Sequence, residues 1–261
     1  GGGEGWRGSA WGVSRTMGMK CRQSLAVLLV CLVVAFRPVG GNDEELLEQQ
    51  REGAHPKPSK PTLLLNMLVK NEEEHLKRTL PLWAKNVDYW IIGIDDDNFD
   101  ESEDVIKEHL GHLPGSIVTV SFDGMGPTWT KLVQRGLELY PEATHGILSD
   151  ADFTPLVEGF DRRELDLNCS KHIFDVISAD GTDLRRMDWI YRNIPGARVE
   201  RRTHQVLQVP AIPGQSHYIK RISGLRVREY TGGYQDRLPP KGKNFRYIQL
   251  LEKDLQDYPG D

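Results

Sequence analysis

Thr62-Leu63-Leu64-Leu65-Asn66-Met67-Leu68-Val69 is an almost unbroken apolar run, closed by Lys70-Asn71-Glu72. A strand with one face in water alternates apolar and polar residues, so a run without alternation requires cover on both faces. The chain supplies that cover. Glu73 to Lys85 carries Leu76, Leu80 and Trp83 at helical spacing, and Tyr89-Trp90-Ile91-Ile92-Gly93-Ile94 reads as a second strand ending in Asp95. Ser102 to Leu110 follows as a helix, Ser116 to Phe122 as a strand, Trp129 to Tyr140 as a helix and His145 to Ser149 as a fourth strand. Strands alternating with helices through short connections predict βαβ units and a mainly parallel, Rossmann-like α/β sheet flanked by helices. Beyond Asp152 the elements read as shorter and less regular, around Ile173 to Ile177, Trp189 to Tyr191 and Leu225 to Tyr230, with an amphipathic helix from Asn244 to Leu255. They predict a smaller irregular region facing the sheet across a cleft.

Composition narrows the class. With 261 residues, 38% hydrophobic and 27% charged, the chain is globular rather than disordered. A formal charge of -5 and the lack of a basic face give no expectation of a nucleic-acid partner. Residues 1–41 read as an upstream extension and a leader. Met17 or Met19 starts a basic stretch with Lys20 and Arg22, and Ser24 to Phe36 is an apolar segment of signal-peptide length. A signal peptide is expected first and a short membrane anchor second, which places the protein in the secretory pathway (ER or Golgi lumen) or outside the cell. Residues 42–61, polar and closing on Pro56, Pro58 and Pro61, read as a stalk, and 62–261 as the folded domain. Cys21 and Cys31 fall in the leader, leaving Cys169 alone in the domain, so the fold is expected to rest on its core. Asn168-Cys169-Ser170 fits the N-glycosylation pattern.

Ligands of parallel α/β sheets bind beyond the carboxyl ends of the strands. Here those ends are acidic: Lys70-Asn71-Glu72, Asp95-Asp96-Asp97 and Asp150-Ala151-Asp152. Carboxylates brought to one edge repel one another unless a cation or ligand neutralises them. An Asp-x-Asp at a strand end therefore suits a hard divalent cation bound together with phosphate oxygens, although the tripeptide alone reads equally as a solvated turn. A calcium loop counted from Asp96 fails, since it needs Gly at 101 and Glu at 107, where the chain has Glu101 and Lys107. Arg192, Arg198, Arg201 and Arg202 offer guanidinium forks for phosphate or else form a solvated face. His204 is either a metal ligand or a surface histidine. No phosphate-loop, dinucleotide-binding or nucleophile-elbow pattern occurs.

Asn66 to Glu73, Val87 to Asp95 with Asp100 five residues on, and Ile147 to Asp152 together resemble the family 2 glycosyltransferases, from about Thr62 onward. The likeness is strongest to a branch of lipopolysaccharide-core and repeat-containing glycosyltransferases. In that branch an Arg-Asn-x-Pro-Gly segment and a His-Glu pair stand where this chain has Tyr191-Arg192-Asn193-Ile194-Pro195-Gly196 and His204-Gln205. The resemblance implies a GT-A fold, a nucleotide-diphosphate sugar donor, a glycan, lipid or protein acceptor, and Mn²⁺ or Mg²⁺. It implies Asn71, Glu72, Asp95, Asp150 and Arg192 at the donor, and Asp152 and His204 at the metal. Transfer would invert the anomeric centre, an acceptor hydroxyl being deprotonated by a carboxylate. Gln205 stands where the branch has Glu and cannot serve as a base, which leaves Glu200 or Asp188 for that role. Glu229 stands where a second His often occurs, as a replacement oxygen ligand. A catalytically inactive sugar- or nucleotide-binding domain is the alternative to an active transferase.

Overall fold

The computed structural model describes residues 60–212, 214 and 218–259. The leader, and the stalk up to residue 59, lie outside the described residues. Among the described helices none is long and apolar enough to cross a membrane.

The apolar run forms β1 (Leu63–Val69), followed by α1 (Glu73–Trp83), β2 (Tyr89–Asp95), α2 (Ser102–Leu110), β3 (Gly115–Val120), α3 (Met125–Leu139) and β4 (His145–Asp150). β1 pairs in parallel with both β2 and β4, and β2 with β3, giving the order β3-β2-β1-β4. Leu63, Leu64, Leu65 and Met67 are fully buried, as a strand covered on both faces must be. The interior is closely packed at its glycines too. A Cβ on Gly146 of β4 would lie 2.3 Å from the ring of buried Tyr191, so the bare backbone is what lets that ring cross the strand.

The second half is more regular than its sequence predicts. β5 (Phe153–Pro155), β6 (Lys171–Ile177), β7 (Leu184–Arg192) and β10 (Ile219–Glu229) extend the same sheet in the order β4-β7-β6-β10-β5, so the sheet has eight strands. β7 runs antiparallel to β4 and β6, while β10 is parallel to β6. β6 and β7 form a hairpin, but the partners that join β7 to β4 and β10 to β6 and β5 are distant in sequence, and the alternating, charge-rich β10 disguises its length. Only β8 (Arg198–Glu200) and β9 (Val206–Gln208) form a separate two-stranded piece. The result is the Rossmann-like α/β architecture that the sequence predicts, a mainly parallel mixed sheet flanked by helices.

Two helices follow β10, the one-turn α4 (Tyr234–Arg237) and the long α5 (Pro240–Asp257). α5 is fastened by polar contacts rather than by an apolar face: buried Asp254 accepts from the Arg202 backbone N–H at 2.8 Å, and Lys253 meets Asp123 at 2.8 Å. Phe245, Ile248 and Leu255 are left exposed.

A buried histidine pair lies toward the amino end of β4. His145 and His172 meet edge to face with ring centres 5.2 Å apart. His172 Nε2 accepts from the Asp166 backbone N–H at 2.9 Å, so its single proton must reside on Nδ1. Protonating Nε2 would set two N–H groups against each other. Burial, then Lys220, pushes His172 down to about 4, and burial, then Arg192, holds His145 well below the usual histidine range. Both histidines therefore fold as neutral rings, and their contribution is lost as pH falls from about 6.5 toward 4, where the unfolded chain binds more protons. Between pH 7.5 and 4.5 the denaturant midpoint of the unaltered protein should lose ground against that of His172→Gln. Parallel profiles for the two proteins would contradict this.

Candidate functional site

Parallel register decides which polar residues meet. Leu68 of β1 lies beside both Gly93 and Asp150, and Val69 beside Ile94, so Lys70, Asp95 and Asp150 emerge together at the carboxyl edge of the sheet. They open onto a cavity of about 290 Å³. Its lining mixes the apolar side chains of Leu68, Val69, Val120, Phe122 and Met125 with the carboxylates of Glu72, Asp95, Asp150, Asp152 and Glu229, and Asp95 lies beside Val120 in the sheet. Lys70, Tyr234 and Arg246 also line it.

The acid-bearing turn is fixed at three successive carbonyls. Thr79 Oγ1 donates to Ala151 O at 3.1 Å, the Tyr230 N–H to Asp152 O at 3.1 Å, and Trp83 Nε1 to Phe153 O at 2.9 Å. The Asp150 and Asp152 carboxylates thus project from a rigid backbone. Burial, then the charges of Asp152 and Glu229, pushes the Asp150 carboxyl up to about 7, with Arg185 opposing. Burial, then Glu229, pushes Asp152 up to about 6, with His75 opposing. This edge is short of positive charge.

The other acids have partners. Glu72 Oε2 lies 2.8 Å from His75 Nδ1, while its Oε1 accepts from the Tyr234 N–H at 2.5 Å. A point beside Gly233 lies 3.3 Å from Glu72 Oε1 and 3.7 Å from Asp152 Oδ2, so these two carboxylates face one spot. Glu229 ends β10 opposite Phe153 and pairs with Arg185. Asp95, Asp96 and Asp97 form an acidic group with ligand atoms within 4.8 Å of one another. Lys70 already binds Asp95 at 2.6 Å and Asp97 at 3.7 Å. Asn71 turns the chain at φ 54°, and its amide exchanges hydrogen bonds with the Asp95–Asp100 loop: Asn71 N–H donates to Asn98 at 2.7 Å and Phe99 N–H to Asn71 at 2.8 Å. Asp100 accepts from the Glu73 N–H at 3.0 Å, in the first turn of α1.

Of the residues singled out in the sequence, Glu72, Asp95, Asp150 and Asp152 line the cavity, and Asn71 stands next to Glu72. Arg192, Asp188, Glu200 and His204 are not among the cavity's lining residues. Arg192 pairs with His145, at the amino end of β4, and donates to Thr144 O at 2.7 Å. Because β7 is antiparallel to β4, its late residues lie far from Asp150. Its early residue Arg185 is the one near the acids. Asp188 is paired with Lys171, and Glu200 with Arg198 at 2.6 Å. His204 is exposed, its Nε2 2.7 Å from the Tyr247 hydroxyl of α5. Tyr234 and Arg246 enter from segments whose sequence carries no local sign of a site. Only the Gly232-Gly233 break before Tyr234 marks a change of direction.

The N-terminus of α3 also adjoins the cavity, but its amides are taken. Met125 N–H donates to Arg202 O at 2.9 Å and Gly126 N–H to Arg201 O at 2.8 Å. A Cβ on Gly126 would lie 2.4 Å from Arg201 O, so this close approach requires glycine.

No family model and no curated protein matches the chain. Among solved structures it is similar to S. aureus TarS, with a TM-score of 0.44 and 9% identity. The match covers 74% of this chain and spans 43% of that one.

The raised Asp150 carboxyl has a consequence for stability. A carboxyl whose folded value lies above its unfolded value favours folding at low pH, and that advantage is lost as pH rises from about 4 to 7. Without divalent ions, Asp150→Asn should therefore raise stability at pH 8, on the order of 1–3 kcal/mol after allowance for solvent screening. The two proteins should converge near pH 4. An equal gain at both pH values in denaturant titrations would contradict this.

Proposed function

We propose that the domain is a glycosyltransferase that moves a sugar from a nucleotide-diphosphate donor to an acceptor hydroxyl with a divalent cation. The observation that carries the reading is the paired Asp150 and Asp152 carboxylates, rigidly mounted at the sheet's carboxyl edge and short of positive charge. The donor set is all oxygen, with Glu72 facing the same spot as Asp152, and that chemistry fits Mg²⁺ or Mn²⁺ rather than a thiolate- or imidazole-binding metal. Asp152, with Glu72, would hold the cation; when bound, it would stabilise the charge developing on a diphosphate leaving group. The apolar side chains beside Asp95 suit a nucleobase, with the Asp95 carboxylate, already oriented by Lys70, at its edge.

Glu229, in the cavity and held by Arg185, replaces Asp188 and Glu200 as the carboxylate placed to take a proton from an acceptor hydroxyl. Inversion follows if the acceptor attacks opposite the departing diphosphate. A second reading, a nucleotide-sugar-binding domain without turnover, is favoured by the Tyr234 N–H engaging Glu72 and by the absence of His204 from the cavity lining. The leader would take the domain into the secretory pathway, free or membrane-attached, and the acceptor class is a glycan, lipid or protein.

Calorimetric titration with UDP, GDP, CDP and ADP, with and without Mn²⁺, tests the reading. One of them should bind, at least tenfold more tightly with Mn²⁺, and Asp152→Asn should remove the Mn²⁺ effect while the denaturation midpoint is maintained. Binding without donor turnover would favour the second reading. No binding of any nucleotide would contradict both.

A further inference from the structure

The cations in and around the cavity are unequally committed. Lys70 is bound to Asp95, Arg185 to Glu229, and Arg237 to the Asn71 carbonyl, with Glu72 3.7 Å away. Arg246 differs. It reaches the cavity from α5, and its guanidinium carbon sits 4.5 Å from the centre of the Phe122 ring; no carboxylate among the described residues is bonded to it. An aromatic face attracts a guanidinium without using its N–H groups, so the planar fork stays oriented with donors available.

A ligand bearing phosphates needs such donors. The usual backbone source, a helix N-terminus, is closed here, because the first amides of α3 donate to the Arg201 and Arg202 carbonyls. The cavity's carboxylates repel an anion, and a cation held among them would offset part of that charge but supply no N–H. We infer that Arg246 is the residue that grips the diphosphate of the bound nucleotide, with Phe122 as the platform that orients it. α5 is thereby part of the binding site, although its sequence reads only as an amphipathic helix. Arg246 also borders a neighbouring hollow lined by Asp123, Gln249, Glu252 and Lys253, so it stands at the margin of the cavity.

The inference rests on the nucleotide-sugar reading of the cavity. Its test uses the whole chain in Mn²⁺ and compares a nucleoside diphosphate from the panel above with the corresponding nucleoside. Arg246→Ala should weaken the diphosphate by about ten- to a hundredfold, the loss expected for charge-assisted hydrogen bonds, and leave the nucleoside unchanged. Arg246→Lys should recover part of the loss, and Phe122→Leu should weaken the diphosphate less than Arg246→Ala does. An unaltered denaturation midpoint in each variant assigns the effect to binding. Equal affinity of Arg246→Ala and the unaltered protein for the diphosphate would overturn the inference and leave the glycosyltransferase reading standing. Equal loss for diphosphate and nucleoside would also overturn it. An unaltered protein that binds none of the diphosphates would overturn both.

Discussion

The structure turns on negative charge gathered at the carboxyl edge of a parallel sheet. Register alone brings Asp95 and Asp150 to that edge, because β1 holds β2 on one side and β4 on the other, with Asp150 level with Gly93, two residues before Asp95. Three carbonyl anchors then prevent the Asp150–Asp152 turn from relaxing away. Carboxylates held close and partly buried without a ligand cost stability, and that cost is what the proposed function explains by a bound cation. Most of the surrounding contacts distribute counter-charge: Lys70 to Asp95, Arg185 to Glu229, His75 to Glu72. The cavity so formed combines apolar side chains with carboxylates.

The first four strands were legible because each is a local signal. Their apolar runs, helical spacings and short loops determine a βαβ order with few alternatives, and the acids at their ends follow from it. The second half was not legible in the same way. β7 pairs locally with β6, but its place beside β4 and that of β10 beside β6 and β5 depend on partners distant in sequence, and nothing in the Leu184–Arg192 segment announces that it runs antiparallel to β4. That direction carries Arg192 to the amino end of β4 and puts Arg185 beside the acids. Positions taken from a resemblance, such as Asp188, Glu200 and His204, depend on loop paths that motif spacing does not fix. Each has a structural partner outside the cavity lining: Lys171, Arg198 and Tyr247.

Glu229 shows the intermediate case. Its position near a family motif singled it out, but only the pairing of β10 with β5 brings it to the carboxylates. Tyr234 and Arg246 depend wholly on how the chain returns across the cleft. No local pattern distinguishes Arg246 from the other cations of α5. Its meaning comes from the Phe122 ring beneath it and from the closed N-terminus of α3 beside it.

The central claim is that the charge at this edge awaits a cation at Asp152. Crystals grown with Mn²⁺ and a nucleoside diphosphate, measured at the manganese absorption edge, test it most directly. The account predicts an anomalous peak about 2.1 Å from an Asp152 carboxylate oxygen, with nucleotide phosphate oxygens completing its shell. A peak at Asp95-Asp96-Asp97 with none at Asp152 would contradict it.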